Sequence, residues 1–245
     1  MNKIRCALTV ALAIVAAAFE ASAQSAAKPV FEVAAVKPGN PASRISGIVD
    51  AQGGQLIAEN VSLHDLIVWA YDLKRFQLSN SSTWEGSKSM NSARFSIAAK
   101  AEESASKAQM RLMLRSLLTE RFKLALRVDM KEQTIYQLMV NGTPKMKATP
   151  AGKTGGFSGK PDAIGVFRFA ASRMTMAVLA GFLSSQLEAI VEDRTGLTEG
   201  YDFEFEAPDA GNFAPALPQI GLKLEPRKGP VPFYVVEGAE PPSEN

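Results

Sequence analysis

A short strand, a capping hydroxyl and an amphipathic helix follow one another at two places in this chain, and a fold that accepts both must be built from two related units. In the first, Leu56 and Ile57 make the strand, Ser62 stands ready to accept a hydrogen bond from a free helical amide, and Leu63, Leu66, Ile67 and Ala70 recur at i, i+3, i+4 and i+7. That spacing predicts one buried helix face. About 113 residues on, Val166 to Phe169 precede Thr175 as the cap and Met176, Leu179 and Leu183 as the apolar positions. The downstream parts also match, at a different offset. Ile220 to Leu224 repeats the pattern of Phe122 to Leu126, and Tyr234 that of Tyr136, each 98 residues apart.

Between these landmarks the periodicity supplies the rest of the unit. Phe31 to Val36 reads as a strand ended by Pro38 and Pro41, and Arg94 to Ala99 as another with Phe95 and Ile97 on one face. Met110, Met113, Leu114, Leu117 and Leu118 mark a long helix, with Lys107, Arg111 and Arg115 as a basic line on another side. Phe122 to Val128 and Thr134 to Val140 are expected as two strands joined by a polar turn at Asp129 to Gln133. Residues 142–164 turn to Gly, Pro, Lys, Ser and Thr and read as a linker. In the second unit Pro215 and Pro218 cut short the helix before Gly221, and Tyr201 to Glu206 alternates aromatic with acidic. The expectation is an α+β fold of two strand-helix-strand-(helix)-strand-strand units, at 30–141 and 165–240, each with helices on one face of a small mixed or antiparallel sheet. A tail of 241–245 follows.

Residues 1–23 are expected to be a secretory signal. Lys3 and Arg5 precede an apolar run from Ala7 to Phe19 that closes on Ala21-Ser22-Ala23, too short for a bilayer span of about 20 residues. A flexible leader of 24–29 comes next. Cys6, the one cysteine, falls in the removed part, so the exported chain has no disulfide, cysteine nucleophile or thiolate metal site. Taking Lys3, Arg5 and Glu20 away leaves 25 basic against 24 acidic side chains, a net charge of +1 that gives no pull toward nucleic acid or an anionic membrane.

Several stretches resemble a known family. Phe31 to Pro38, Leu117 to Leu124, Val191 to Leu197 with Gly200 to Phe203, Gly221 to Pro226 and the terminal Pro242 to Asn245 are similar to an uncharacterised family of exported proteins found mainly in soil bacteria. The resemblance implies a stand-alone secreted protein of unknown function, a domain that in some members is attached to a membrane metallopeptidase of the β-lactam-sensing kind. It implies no catalytic residues. The Val61 to Leu66 pattern and the strand-helix order also look like a short periplasmic module that makes protein contacts.

Local matches to enzyme motifs are weak. Ser104 to Lys107 fits S-x-x-K, but so does Ser25 to Lys28, Lys153 to Gly155 gives K-T-G inside the linker, and S-D-N is missing. Gly152-Lys153-Thr154 would need a glycine where Lys147 stands to cradle a phosphate. His64, the single histidine, lies beside Asp65 off the apolar stripe, without the partners of a triad or zinc site. Asp202, Glu204 and Glu206 read as the wet face of a strand rather than a calcium site. No cofactor or metal is expected. The favoured reading is a non-catalytic, exported binding module with a protein or cell-envelope partner, for instance one joined by strand addition to a sheet edge. Its candidate binding residues are Trp84, in the Ser- and Asn-rich loop 79–92, and the line Lys107, Arg111 and Arg115. The alternative is a polymer hydrolase pairing Glu59 or Asp65 with Asp193 or Asp202 across a cleft.

Overall fold

The computed structural model describes residues 28–40, 42–51, 53–82, 85–86, 88, 92–149, 155–162, 166–208 and 214–242. The expected signal, the leader up to residue 27 and Trp84 lie outside them. The first copy opens with β1 (Val33–Pro38), β2 (Gly47–Ala51) and β3 (Gln55–Ser62), followed by α1 (Leu63–Tyr71), β4 (Leu78–Asn80), β5 (Arg94–Lys100), α2 (Lys107–Arg121) and β6 (Ala125–Val140). The second has β7 (Lys147–Thr149), β8 (Gly156–Pro161), β9 (Phe167–Met174), α3 (Met176–Leu187), β10 (Val191–Asp193), β11 (Gly200–Ala207), a 3-10 turn at Ala214–Ile220 and β12 (Leu222–Gly238). The fold is α+β.

Each copy forms a four-stranded antiparallel sheet in the same order, β1-β5-β3-β2 in the first and β7-β11-β9-β8 in the second. The helix starts are built alike. Ser62 Oγ accepts from the Asp65 amide at 3.1 Å, and Thr175 Oγ1 from the Val178 amide at 3.3 Å. Just upstream, Asn60 and Arg173, 113 residues apart, both take a left-handed φ of 50° at a β-bulge. The freed amide is satisfied by the neighbouring strand each time, by Ser96 Oγ at 3.2 Å and by Asp202 Oδ1 at 2.7 Å. The apolar stripe of α1 then buries Leu63, Leu66, Ile67 and Ala70 against Leu56, Ala58, Phe95 and Ile97, while α2 adds Met110, Leu114, Leu117 and Leu118. In the second copy the short 3-10 turn takes the place of α2, with Pro218 inside it and Ala216, Leu217 and Ile220 buried.

A third sheet, β10-β6-β12-β4, joins the copies by exchanging strands. β6 and β12 pair antiparallel from Leu222↔Val140 to Gly238↔Ala125. β4 of the first copy lies parallel to β12 with Leu78 opposite Tyr234, and β10 of the second lies parallel to β6 with Val191 opposite Tyr136. Those registers are equivalent, since Leu78 and Val191 differ by 113 and Tyr136 and Tyr234 by 98. Glu132 pairs with Pro230, its own counterpart at the 98-residue offset, so a pseudo-twofold axis passes through that pair.

Two expectations are corrected. Asp129 to Gln133 are not a turn, because all five have ladder partners from Phe233 to Gly229 and β6 is one continuous strand. Their polarity reflects exposure of the ribbon's middle, not a reversal of the chain. The stretch 142–164 is not a bare linker either, for it holds β7 and β8, the equivalents of β1 and β2. Glycine in β8 makes room for a ring: a Cβ on Gly159 would stand 2.3 Å from Phe169 Cε1. Proline is tolerated there because β8 is an edge strand, and Pro161 its last residue.

Candidate functional site

With one stripe of α1 committed to the core, its flank carries Asp65, Val68 and Trp69, and Asp72 follows as its left-handed C-cap. These face Ser46 and the start of β2 (Gly47 and Ile48), and together with Val61, Leu73, Arg75 and Arg111 they line a groove of about 440 Å³. The lining mixes the apolar side chains of Ile48, Val61, Val68, Trp69 and Leu73 with charged groups that are matched in pairs. Asp65 accepts from Ser62 Oγ at 2.8 Å and pairs with Arg75. Arg111 reaches across from α2 to Asp72 at 2.5 Å, its guanidinium 5.7 Å from the centre of the Trp69 ring and its Nε enclosed without a hydrogen-bond partner.

The second copy supplies an internal comparison. Ile48 pairs with Ala58 on β3, and Phe157 of β8 pairs with Ala171 on β9, which is Ala58 displaced by 113. Trp69 likewise corresponds to Phe182. In the second copy Phe157 and Phe182 meet with ring centres 4.7 Å apart, and Phe157 also stacks on Phe169 at 5.5 Å. The space between edge strand and helix is filled there by phenyl groups. In the first copy the smaller Ile48 leaves it open.

Of the basic line expected to bind, Arg111 belongs to this groove, whereas Lys107 is the exposed first residue of α2. Arg115 is turned away toward the C-terminal end of α1. Its Nε donates to the Ala70 carbonyl at 2.8 Å and its guanidinium lies 4.5 Å above the Tyr71 ring, which in turn packs on Tyr234 of β12. The carboxylates offered for hydrolysis are engaged locally. Asp193 Oδ1 closes a turn by accepting from the Thr195 amide at 3.0 Å and hydroxyl at 2.7 Å, Asp202 caps the bulge at Arg173, and Asp65 holds Arg75. Glu59 is exposed on β3. Asp202, Glu204 and Glu206 do lie on the solvated side of β11. Ser106, not Ser104, caps α2, so Ser104 and Lys107 are not one helical turn apart. Among the described residues no group of three or more His, Cys, Asp or Glu could hold a metal ion, and no helix is long and apolar enough to cross a membrane.

A family model described as a protein of unknown function, DUF3738, matches residues 64–239. The chain belongs to this family. Within the DUF3738 match lie α1 from His64 onward, both ribbon strands and the whole second copy, and hence Trp69, Asp72, Arg75 and Arg111; the β2 wall of the groove precedes it. No curated protein and no solved structure matches the chain.

Sequence reasoning passed over Trp69, Ile48, Asp72 and Arg75. A signal for Trp69 existed, since a tryptophan sits off the stripe of an otherwise regular amphipathic helix and aligns with Phe182 at the 113-residue offset. Ile48 against Phe157 was hidden by the glycine-rich stretch that passes for a linker.

Proposed function

We propose that this DUF3738 member is a non-catalytic, exported binding module whose partner, a protein or other component of the cell envelope or surroundings, is held in the groove between β2 and α1. The observation that carries this reading is the difference between the copies: one strand-helix gap is plugged by Phe157 on Phe182, and its counterpart over Trp69 is open. A gap that the same scaffold can close with one side chain costs buried apolar area when left open, and a bound partner recovers it. The apolar run and A-x-A ending of residues 1–23 support export.

The test is capture from envelope and culture-fluid extracts by the immobilised chain and by Ile48→Phe, which rebuilds the second copy's plug in the first. Retention of a component by the wild type and its loss from Ile48→Phe, with the melting temperature kept, is the expected result. Equal retention by both rejects the groove as the site.

A further inference from the structure

Resting on that reading, we infer that the groove's occupant is an extended, uncharged polypeptide segment that adds as a fifth strand to the free edge of β2 and seats one aromatic side chain over Trp69. Among the described residues β2 is hydrogen-bonded to β3 on one side only, so its other edge offers a row of amide and carbonyl groups. The groove runs beside that edge, between β2 and α1. A strand laid along β2 alternates its side chains, so every second one points to the helix side of the sheet, where Ile48, Val68, Trp69 and Leu73 lie.

The kind of side chain is given by the second copy. There the equivalent space holds a phenyl ring against Phe182 at 4.7 Å. The charge follows from the rim: Arg75 is matched by Asp65 and Arg111 by Asp72, so a charged segment would have to break an ion pair to be matched. The two copies differ in their edges as well. β8 carries Lys160 and Pro161, residues that discourage pairing, whereas β2, Gly47–Ala51, has neither lysine nor proline.

The experiment is a backbone-amide NMR titration of the full chain with a capped hexapeptide of threonine and valine bearing one central phenylalanine. Two control peptides replace the phenylalanine by alanine or N-methylate alternate backbone amides. The phenylalanine peptide is expected to shift the amides of residues 47–51 and the Trp69 indole N–H. Each control is expected to bind at least about tenfold more weakly, as loss of a buried anchor or of main-chain pairing does. Raising the salt is expected to change affinity little. Equal binding of the N-methylated peptide, shifts centred on β8 or β1, or no shift up to millimolar peptide would each overturn strand addition. The groove reading is separable from this: it stands if Ile48→Phe still abolishes envelope capture, and it falls if capture survives that substitution.

Discussion

His64 stands on the first turn of α1 with Nδ1 enclosed and without a hydrogen-bond partner. Burial, and then the nearby Arg75 guanidinium, hold its pKa below the ordinary 6.5, with Asp65 pulling weakly the other way. The unfolded chain therefore takes up this proton at a higher pH than the folded one does. The contribution is full above about pH 6.5 and is lost as pH falls toward the lower folded value. Urea unfolding at pH 7 and pH 5 should show His64→Gln losing less stability on acidification than the wild type. Arg115 makes a second residue-scale case. Because it caps the Ala70 carbonyl and covers Tyr71, Arg115→Ala should cost about 1–2 kcal/mol in urea unfolding, while Lys107→Glu should stay within about 0.5 kcal/mol. Both residues were legible in the sequence as one basic line on α2. Their different fates were not, because the surface facing α2 at Arg115 comes from α1 and β12, far away along the chain.

At the scale of elements, the helices were the readable part. The stripes of α1 and α3 and the caps Ser62 and Thr175 are local patterns, and local chemistry decides them. The edge strands of the second copy were not readable, since β7 and β8 need only one ladder partner each and that partner lies in β11 or β9. Their Gly, Lys and Pro content, which suits an edge, is the composition of a linker. Gly159→Ala separates the two descriptions. In a linker it would be neutral; against Phe169, whose Cε1 would lie 2.3 Å from the new Cβ, it should cost about 1–3 kcal/mol by urea unfolding. The polar middle of β6 misled for a related reason, because a solvated two-stranded ribbon shows no buried face from which to read a strand.

Across the whole molecule, the exchange of β4 and β10 ties the copies together. Val236 of β12 belongs to the first core, packed with Tyr234, and Leu138 of β6 belongs to the second, with Tyr136 and Val140 beside it. Neither core is complete without a strand from the other copy, so Leu118→Ala in the first should lower the stability of both by about 2–5 kcal/mol. One unfolding transition, with the same midpoint for amide signals from both copies, is expected; two separate midpoints would show independent units. The duplication could be seen in the 113- and 98-residue offsets, but the exchange could not, as either copy's short strand would suit either ribbon strand by pattern alone. The same duplication makes the groove interpretable, because the second copy shows the same scaffold with the gap filled from within. The most direct measurement is isothermal titration of the captured component against the wild type, Ile48→Phe and Phe157→Ile. Loss of binding on plugging the first groove, with affinity unchanged on unplugging the second, is the expected result; wild-type affinity in Ile48→Phe would contradict it.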